Sequence, residues 1–200
     1  MNEMTTVGFI EMKHGTAEDY ALLGRYEHEY AAGTADRILE QLARLGGGLS
    51  GYKISRLEHS IQTAARAEAD GADADWIVAA LLHDIGDELA PHNHDSIAAD
   101  IVRPFVREQV SWVVQHHGIF QMVYYAHHTG GDPEARRKYA DHPYYQDAVD
   151  FCERWDQSSF DPDYASPPLG HFAPMVREVF ARPAWDEAVL RKGVREPLVR

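Results

Sequence analysis

Apolar residues recur along this chain at spacings of three and four, the period of a helix buried along one stripe. Tyr20, Leu23, Tyr26 and Tyr30 keep that period behind Thr16, which has an acid, Asp19, three residues on, as in a capping box. Ile38, Leu39, Leu42 and Leu45 make a second stripe, which Gly46-Gly47-Gly48 is predicted to end, with a flexible loop from Gly46 to Tyr52. Ser55 caps a predicted helix from Arg56 to Ala69 that carries Leu57, Ile61 and Ala65 on one face. The next helix starts at Asp73 or Ala74 and runs into His83-Asp84. Beyond Pro91 the pattern predicts helices over about 94–103, 106–117, 119–128, 143–157 and 171–181. Asp161-Pro162 and Pro167-Pro168 mark an irregular loop, and no period-two alternation is long enough for a strand. The expectation is one all-α domain over residues 1–200, a helical bundle with a core at 55–156 flanked by helices at 16–45 and 171–191.

Composition agrees. Two hundred residues suit a single domain with one core, and 44% are hydrophobic and 26% charged, with no low-complexity tract. Nineteen basic against thirty-two acidic residues leave a net charge of −13. A field of that sign disfavours nucleic acid and anionic membrane as partners, while leaving room for a small anion in a local pocket. Cys152 is the only cysteine, so no intramolecular disulfide is possible and a cytoplasmic setting is expected. Met1 to His14 lacks the basic-then-apolar order of a signal peptide, and the longest apolar run, Trp76 to Leu82, is too short to span a bilayer.

The chemistry begins where that run ends. Trp76–Leu82 is apolar all round and predicts burial on every side, yet His83 and Asp84 follow without a break. An unpaired charge there is costly, so a partner is required. His59 lies within Leu57-Glu58-His59-Ser60-Ile61, and His94 follows Pro91. His116 and His117 end a helix built on Val110, Trp112, Val113 and Val114, and Asp156 continues the stripe Tyr145, Val149, Cys152. Five predicted helices thus each bring an imidazole or a carboxylate inward. Such donors hold divalent ions, a carboxylate can bridge two of them, and a mixed nitrogen–oxygen set suits iron, manganese or zinc better than calcium or magnesium. His14, His28, His142 and His171 lie in polar or loop-like surroundings and are set apart from this group.

The order His59, His83-Asp84, His94, His116 and Asp156, with His-Asp-Ile-Gly closing an apolar helix, resembles the HD-domain superfamily of helical metalloproteins. Ser55-Arg-Leu-Glu-His-Ser-Ile-Gln-Thr-Ala-Ala65 resembles the first-ligand helix of its mixed-valent diiron oxygenase branch, which holds myo-inositol oxygenase and the phosphonate-cleaving oxygenases. Arg154-Trp-Asp156 and Ser166-Pro-Pro-Leu-Gly-His-Phe172 are similar to that branch's last-ligand helix and the loop after it. The resemblance implies two iron ions. One would be held by His59, His83 and Asp156, the other by His94 and His116, with Asp84 bridging; His117 stands as the alternative to His116. A small substrate's hydroxyl would meet the first iron, and dioxygen the second. The chain departs from the phosphonate branch at three places: Asp87 stands where those proteins carry a histidine, their substrate-holding lysine falls near Phe120, and their Tyr-x-x-Glu pair falls on Leu49 and Tyr52.

Three residues are candidates for contact with the substrate or a metal-bound water: Tyr52 as a lid or displaceable ligand, and Asp87 and His92 if the turn after Gly86 folds back. Phe120 to His128 reads as an aromatic helix whose Tyr124 or His127 can line a pocket; Arg136-Arg137-Lys138 reads as a solvated face or an anion clamp. There is no glycine-rich phosphate loop or nucleophile elbow, and Cys152 has no evident base, so side-chain nucleophilic catalysis has no support. The expected function is an oxygenase that uses dioxygen to cleave a small hydroxylated polar substrate, such as a phosphonate. The alternative is a metal-dependent phosphohydrolase of nucleotides or phosphoesters using manganese, zinc or magnesium. A metal-stabilised sensor is disfavoured, because a binding module has no need of six ligands.

Overall fold

A computed structural model describes residues 5–199; the beginning of the Met1–His14 stretch and Arg200 lie outside it. The helices run in the order α1 (Ala17–Ala32), α2 (Thr34–Arg44), α3 (Arg56–Ala69), α4 (Ala74–Leu82), α5 (His94–Val102), α6 (Glu108–Thr129), α7 (Tyr145–Phe151), α8 (Leu169–Phe180) and α9 (Glu187–Leu190). No strand forms among the described residues beyond one isolated bridge, Ala72 to Val199, and no helix among them is long and apolar enough to cross a membrane. The expected all-α bundle is the observed architecture.

Helix starts follow the sequence. Thr16 and Asp19 form a full capping box at α1, Ser55 and Glu58 form another at α3, and Asp73 caps α4 by accepting from the Trp76 amide. From Asp75 to Leu82, α4 is buried on every side, packed against α3, α6 and α8. Its N-terminal end is anchored by ions: buried Asp75 accepts from the Arg107 amide at 3.0 Å and from Arg182 Nη1 at 2.6 Å. The core beneath the site is aromatic, with Trp76 set edge-on to Trp155 at 6.1 Å and close to Phe151.

Three expectations need correction. The two helices predicted over 106–117 and 119–128 are one, because a lone glycine inside a packed helix costs only about 1 kcal/mol, which tertiary contacts override. This helix stops instead at Gly130, whose left-handed φ of 76° suits glycine. The helix predicted to run into the His-Asp pair ends at Leu82, so Asp84 lies in a run of turns after it. Finally, α7 does not continue to Asp156 as an α-helix. From Cys152 to Asp156 it widens into a π turn, in which the Gln157 amide donates to the Cys152 carbonyl at 3.0 Å.

Candidate metal centre

His59 comes from the first turn of α3, His83 and Asp84 from the turns that follow α4, His94 from the start of α5, His117 from the middle of α6 and Asp156 from the π turn. Their polar atoms converge. His59 Nε2 lies 3.3 Å from Asp84 Oδ2 and 3.2 Å from Asp156 Oδ1. His83 Nε2 lies 3.2 Å from Asp84 Oδ2 and 3.5 Å from Asp156 Oδ1. On the other side, His94 Nε2 and His117 Nε2 each lie 3.3 Å from Asp84 Oδ1. Asp84 therefore turns one oxygen to each of two groups of donors. The triads His59, His83, Asp156 and His83, Asp84, His117 both have donor atoms spaced to hold a metal ion, as does Asp84, Asp87, His94.

The ring orientations are fixed from behind. His59 Nδ1 donates to the Ser159 carbonyl at 2.8 Å, His83 Nδ1 to Ala80 at 2.7 Å, His117 Nδ1 to Val114 at 2.7 Å and His94 Nδ1 to Pro91 at 3.2 Å. A carbonyl only accepts, so each Nδ1 carries the proton and each Nε2 presents a lone pair to the centre, the tautomer metal binding requires. Two features of the cluster suit a cation. His59 and His83 bring their Nε2 atoms 3.1 Å from one another, and Asp156 Oδ2 is buried with no hydrogen-bond partner among the described residues. Burial disfavours charge on His83 and His59, but Asp84 and Asp156 outweigh it and hold both imidazoles above their ordinary pKa. Burial likewise opposes the charge on Asp84 and Asp156, and the facing imidazoles overcome it and hold both carboxyls far below the usual range.

Above the centre opens a cavity of about 420 Å³. Its wall includes Tyr52, Phe160, Tyr124 and Tyr125, the amides Gln121 and Gln157, and Arg56. Phe160 stacks on the His59 ring at 4.3 Å between centroids, and Tyr52 stacks on Phe160 at 5.1 Å. The loop carrying Phe160 is pinned to α3 by Gln62, whose side chain donates to the Asp161 carbonyl at 2.6 Å. His117, Gln121, Tyr124 and Tyr125 share one face of α6, so that helix furnishes both a donor and a wall.

Of the residues singled out in the sequence, His116 does not join the cluster. Its Nδ1 donates to Trp112, and its ring stacks on Trp112 at 4.3 Å and meets Tyr139 edge-on at 4.6 Å, in a separate depression beside Asp95 and Lys138. The unbroken helix turns it about 100° away from its neighbour His117. Asp87 is close to the centre but engaged, with Oδ2 accepting from Arg56 Nε at 2.6 Å and Oδ1 lying 3.4 Å from His94 Nδ1. His92 is exposed and is not part of the cavity wall. Tyr52 is half exposed at the mouth. Tyr124 lines the cavity and His127 does not, while Phe120 is wholly in the core. Sequence reading missed Arg56, which pairs with both Asp84 and Asp87, and the Ser159 carbonyl behind His59. A basic residue at the first position of the first-ligand helix was the available signal for Arg56; a backbone carbonyl leaves none.

A profile of the HD domain matches residues 56–149, a segment that contains His59, His83, Asp84, His94 and His117 and ends before Asp156. No curated protein matches the chain. HD domains as a class are metal-dependent, and the donors gathered here suit that chemistry. Residues 56–149 of this all-helical chain are thus similar to the HD domain.

Proposed function

We propose that this chain is a non-haem diiron oxygenase that uses dioxygen to cleave a small hydroxylated polar substrate. The ions would be held by His59, His83 and Asp156 on one side and by His94 and His117 on the other, with Asp84 bridging. The division of Asp84's two oxygens between those groups carries this reading. The partnerless Asp156 Oδ2 and the opposed His59 and His83 lone pairs fit a resident cation. When bound, the ions would supply Lewis acidity and the one-electron chemistry that dioxygen activation needs. The imidazole-rich donor set favours iron over magnesium or calcium.

The chain's own part is to position and enclose. Backbone carbonyls hold the four rings in register, and the Tyr52–Phe160–His59 stack covers one side of the centre and restricts water. The Tyr124 hydroxyl donates to Glu153 at 2.6 Å. Burial and that carboxylate raise its pKa, so it remains a neutral phenol whose oxygen can accept from a substrate hydroxyl. A wall of rings and amides with a single guanidinium suits a small molecule bearing one anionic group better than a polyphosphate.

The test is metal identity joined to turnover. The purified protein is expected to contain iron, to give a mixed-valent EPR signal on partial reduction, and to consume dioxygen with a member of a panel of small hydroxylated acids, 1-hydroxyphosphonates included. Zinc or manganese with phosphate release from nucleotides, and no dioxygen uptake, would establish the phosphohydrolase instead. Asp84→Ala is expected to lose both ions together; full metal content in that variant would refute the bridging role.

A further inference from the structure

A second cavity, of about 340 Å³, shares no wall residue with the one above the centre. Glu108, Ser111, Trp112 and Gln115 line it at spacings of three and four, one stripe of α6. Gln115 and His117 are two residues apart, about 200° around that helix, so the stripe faces away from the metal centre. The outer wall comes from the segment around α9, which supplies Trp185, Leu190 and Lys192, and Arg103 completes it. Trp185 is 59% exposed, and its backbone lies in the left-handed region at φ 66°, with its amide donating to the Pro104 carbonyl at 2.9 Å. That conformation is unfavourable for a bulky residue, and an indole left in solvent gains little burial in return. The free polar groups of the wall are donors. Trp185 Nε1 and Lys192 Nζ make no hydrogen bond or ion pair among the described residues. Gln115 Oε1 accepts from Arg103 Nη2 at 2.8 Å, which leaves the amide nitrogen to donate. The one acid of this wall is already engaged: Glu108 Oε2 accepts from the Tyr144 hydroxyl at 3.2 Å and from the Gly193 amide at 2.8 Å.

We propose that this second cavity is a binding site for a small planar aromatic carboxylate, whose ring stacks on Trp185 and whose charge is met by Lys192. The volume is at the lower end of the range for small-molecule pockets, about 300–1,000 Å³, and suits a ligand of one ring. Trp185, Trp112 and Leu190 offer apolar surface to that ring, and an indole face favours an aromatic partner over an aliphatic one. Three N–H donors without an acceptor of their own call for an anion, and a carboxylate accepts several hydrogen bonds at once. An amine would instead meet Lys192 and Arg103, with only the engaged Glu108 to offset them. A ring seated on Trp185 also accounts for a tryptophan held outward on unfavourable backbone. The site is independent of the metal centre and of the reaction that centre performs.

Benzoate is the probe, titrated into the whole chain and followed through the four indole N–H resonances by two-dimensional NMR. Benzyl alcohol carries the ring without the charge, and acetate the charge without the ring. With benzoate, the Trp185 and Trp112 resonances are expected to shift to saturation, while those of the buried Trp76 and Trp155 stay in place. Benzyl alcohol and acetate should each bind about 10-fold more weakly or worse. Lys192→Gln is expected to weaken benzoate about 3- to 10-fold, the loss of a charge-assisted hydrogen bond. Trp185→Gly should weaken it about 10-fold or more, yet unfold in urea at the wild-type midpoint or above, because glycine accepts the left-handed backbone. A carboxylate can also ligate a metal ion, so equal benzoate affinity in wild type and Trp185→Gly would place the anion at the metal centre and overturn the proposal. Benzyl alcohol binding as tightly as benzoate would overturn it too, as would the lack of a saturable Trp185 shift in wild type. If Trp185→Gly fails to fold, unchanged benzoate affinity in Lys192→Gln, a substitution at an exposed position, is enough to overturn it.

Discussion

His116 and His117 stand side by side on α6 and do different things. His117 is buried and aims Nε2 at Asp84, whereas His116 completes a stack in which Trp112 lies between it and His142. Alanine at each should separate the roles. His117→Ala is expected to lower the metal content from about two ions per chain towards one, while His116→Ala keeps both and loses about 1 kcal/mol of stability with its ring contacts. Metal analysis beside thermal denaturation checks this, and equal metal loss in the two variants would contradict it. The sequence left this pair open for a definite reason. Both follow the same apolar stripe, and only the phase of a helix running unbroken through Gly118 tells them apart. Arg56 was overlooked for the opposite reason: its significance lies in contacts with residues 28 and 31 positions away, which no local pattern encodes.

At the level of elements, the turn after α4 and the π turn after α7 do the aiming. Gly86 is buried where that turn meets the first residue of α5: a Cβ there would lie 2.7 Å from the His94 carbonyl oxygen and 2.8 Å from its Cα. Backbone cannot yield cheaply, so Gly86→Ala should push α5 from the centre. The expected result is a loss of about 1–3 kcal/mol in stability and weaker metal binding on the His94 side. Calorimetric titration with a divalent metal and denaturant unfolding read the two effects; lost stability with unaltered metal affinity would mean that the close approach serves packing alone. The helices bearing these turns were legible from caps and periodicity. The turns were not, because a helix that stops two residues early or gains one residue per turn keeps nearly the same hydrophobic pattern.

Across the whole molecule, the centre joins α3, α4, α5, α6 and the π turn, so a bound ion would stabilise the fold and not merely a loop. At a free-metal concentration near 100 times the dissociation constant the gain is about 2.7 kcal/mol, or roughly 5–10 °C in Tm for a chain of this size. Treatment with a strong chelator is expected to lower Tm by that order, and no shift would argue against a resident ion. The effect should depend on pH with a definite sign. The raised imidazoles of His59 and His83 stabilise the metal-free fold fully below their ordinary pKa, and that contribution is lost as pH rises through their raised values. Asp84 and Asp156 are depressed, so their contribution is present above the ordinary carboxylate pKa and is lost only as pH falls through their lowered values. Protons and metal compete for the same nitrogens. The metal-induced gain in Tm should therefore grow from about pH 6 to about pH 8, a trend that thermal scans at fixed metal concentration can follow.

The sequence by itself determined the helical class, the capped starts of α1, α3 and α4, and the inward placing of His59, His83, Asp84 and Asp156. Those follow from local caps and from the hydrophobic period, which act over a few residues. Tertiary structure alone decided that His117 and not His116 faces Asp84, that Asp84's two oxygens serve different donors, and that Arg56 in the cavity wall pairs with Asp87. Each of those is a contact between elements far apart in the chain. Its geometry depends on helix phase, on one wide turn and on one backbone approach at Gly86, and a composition or a period records none of the three.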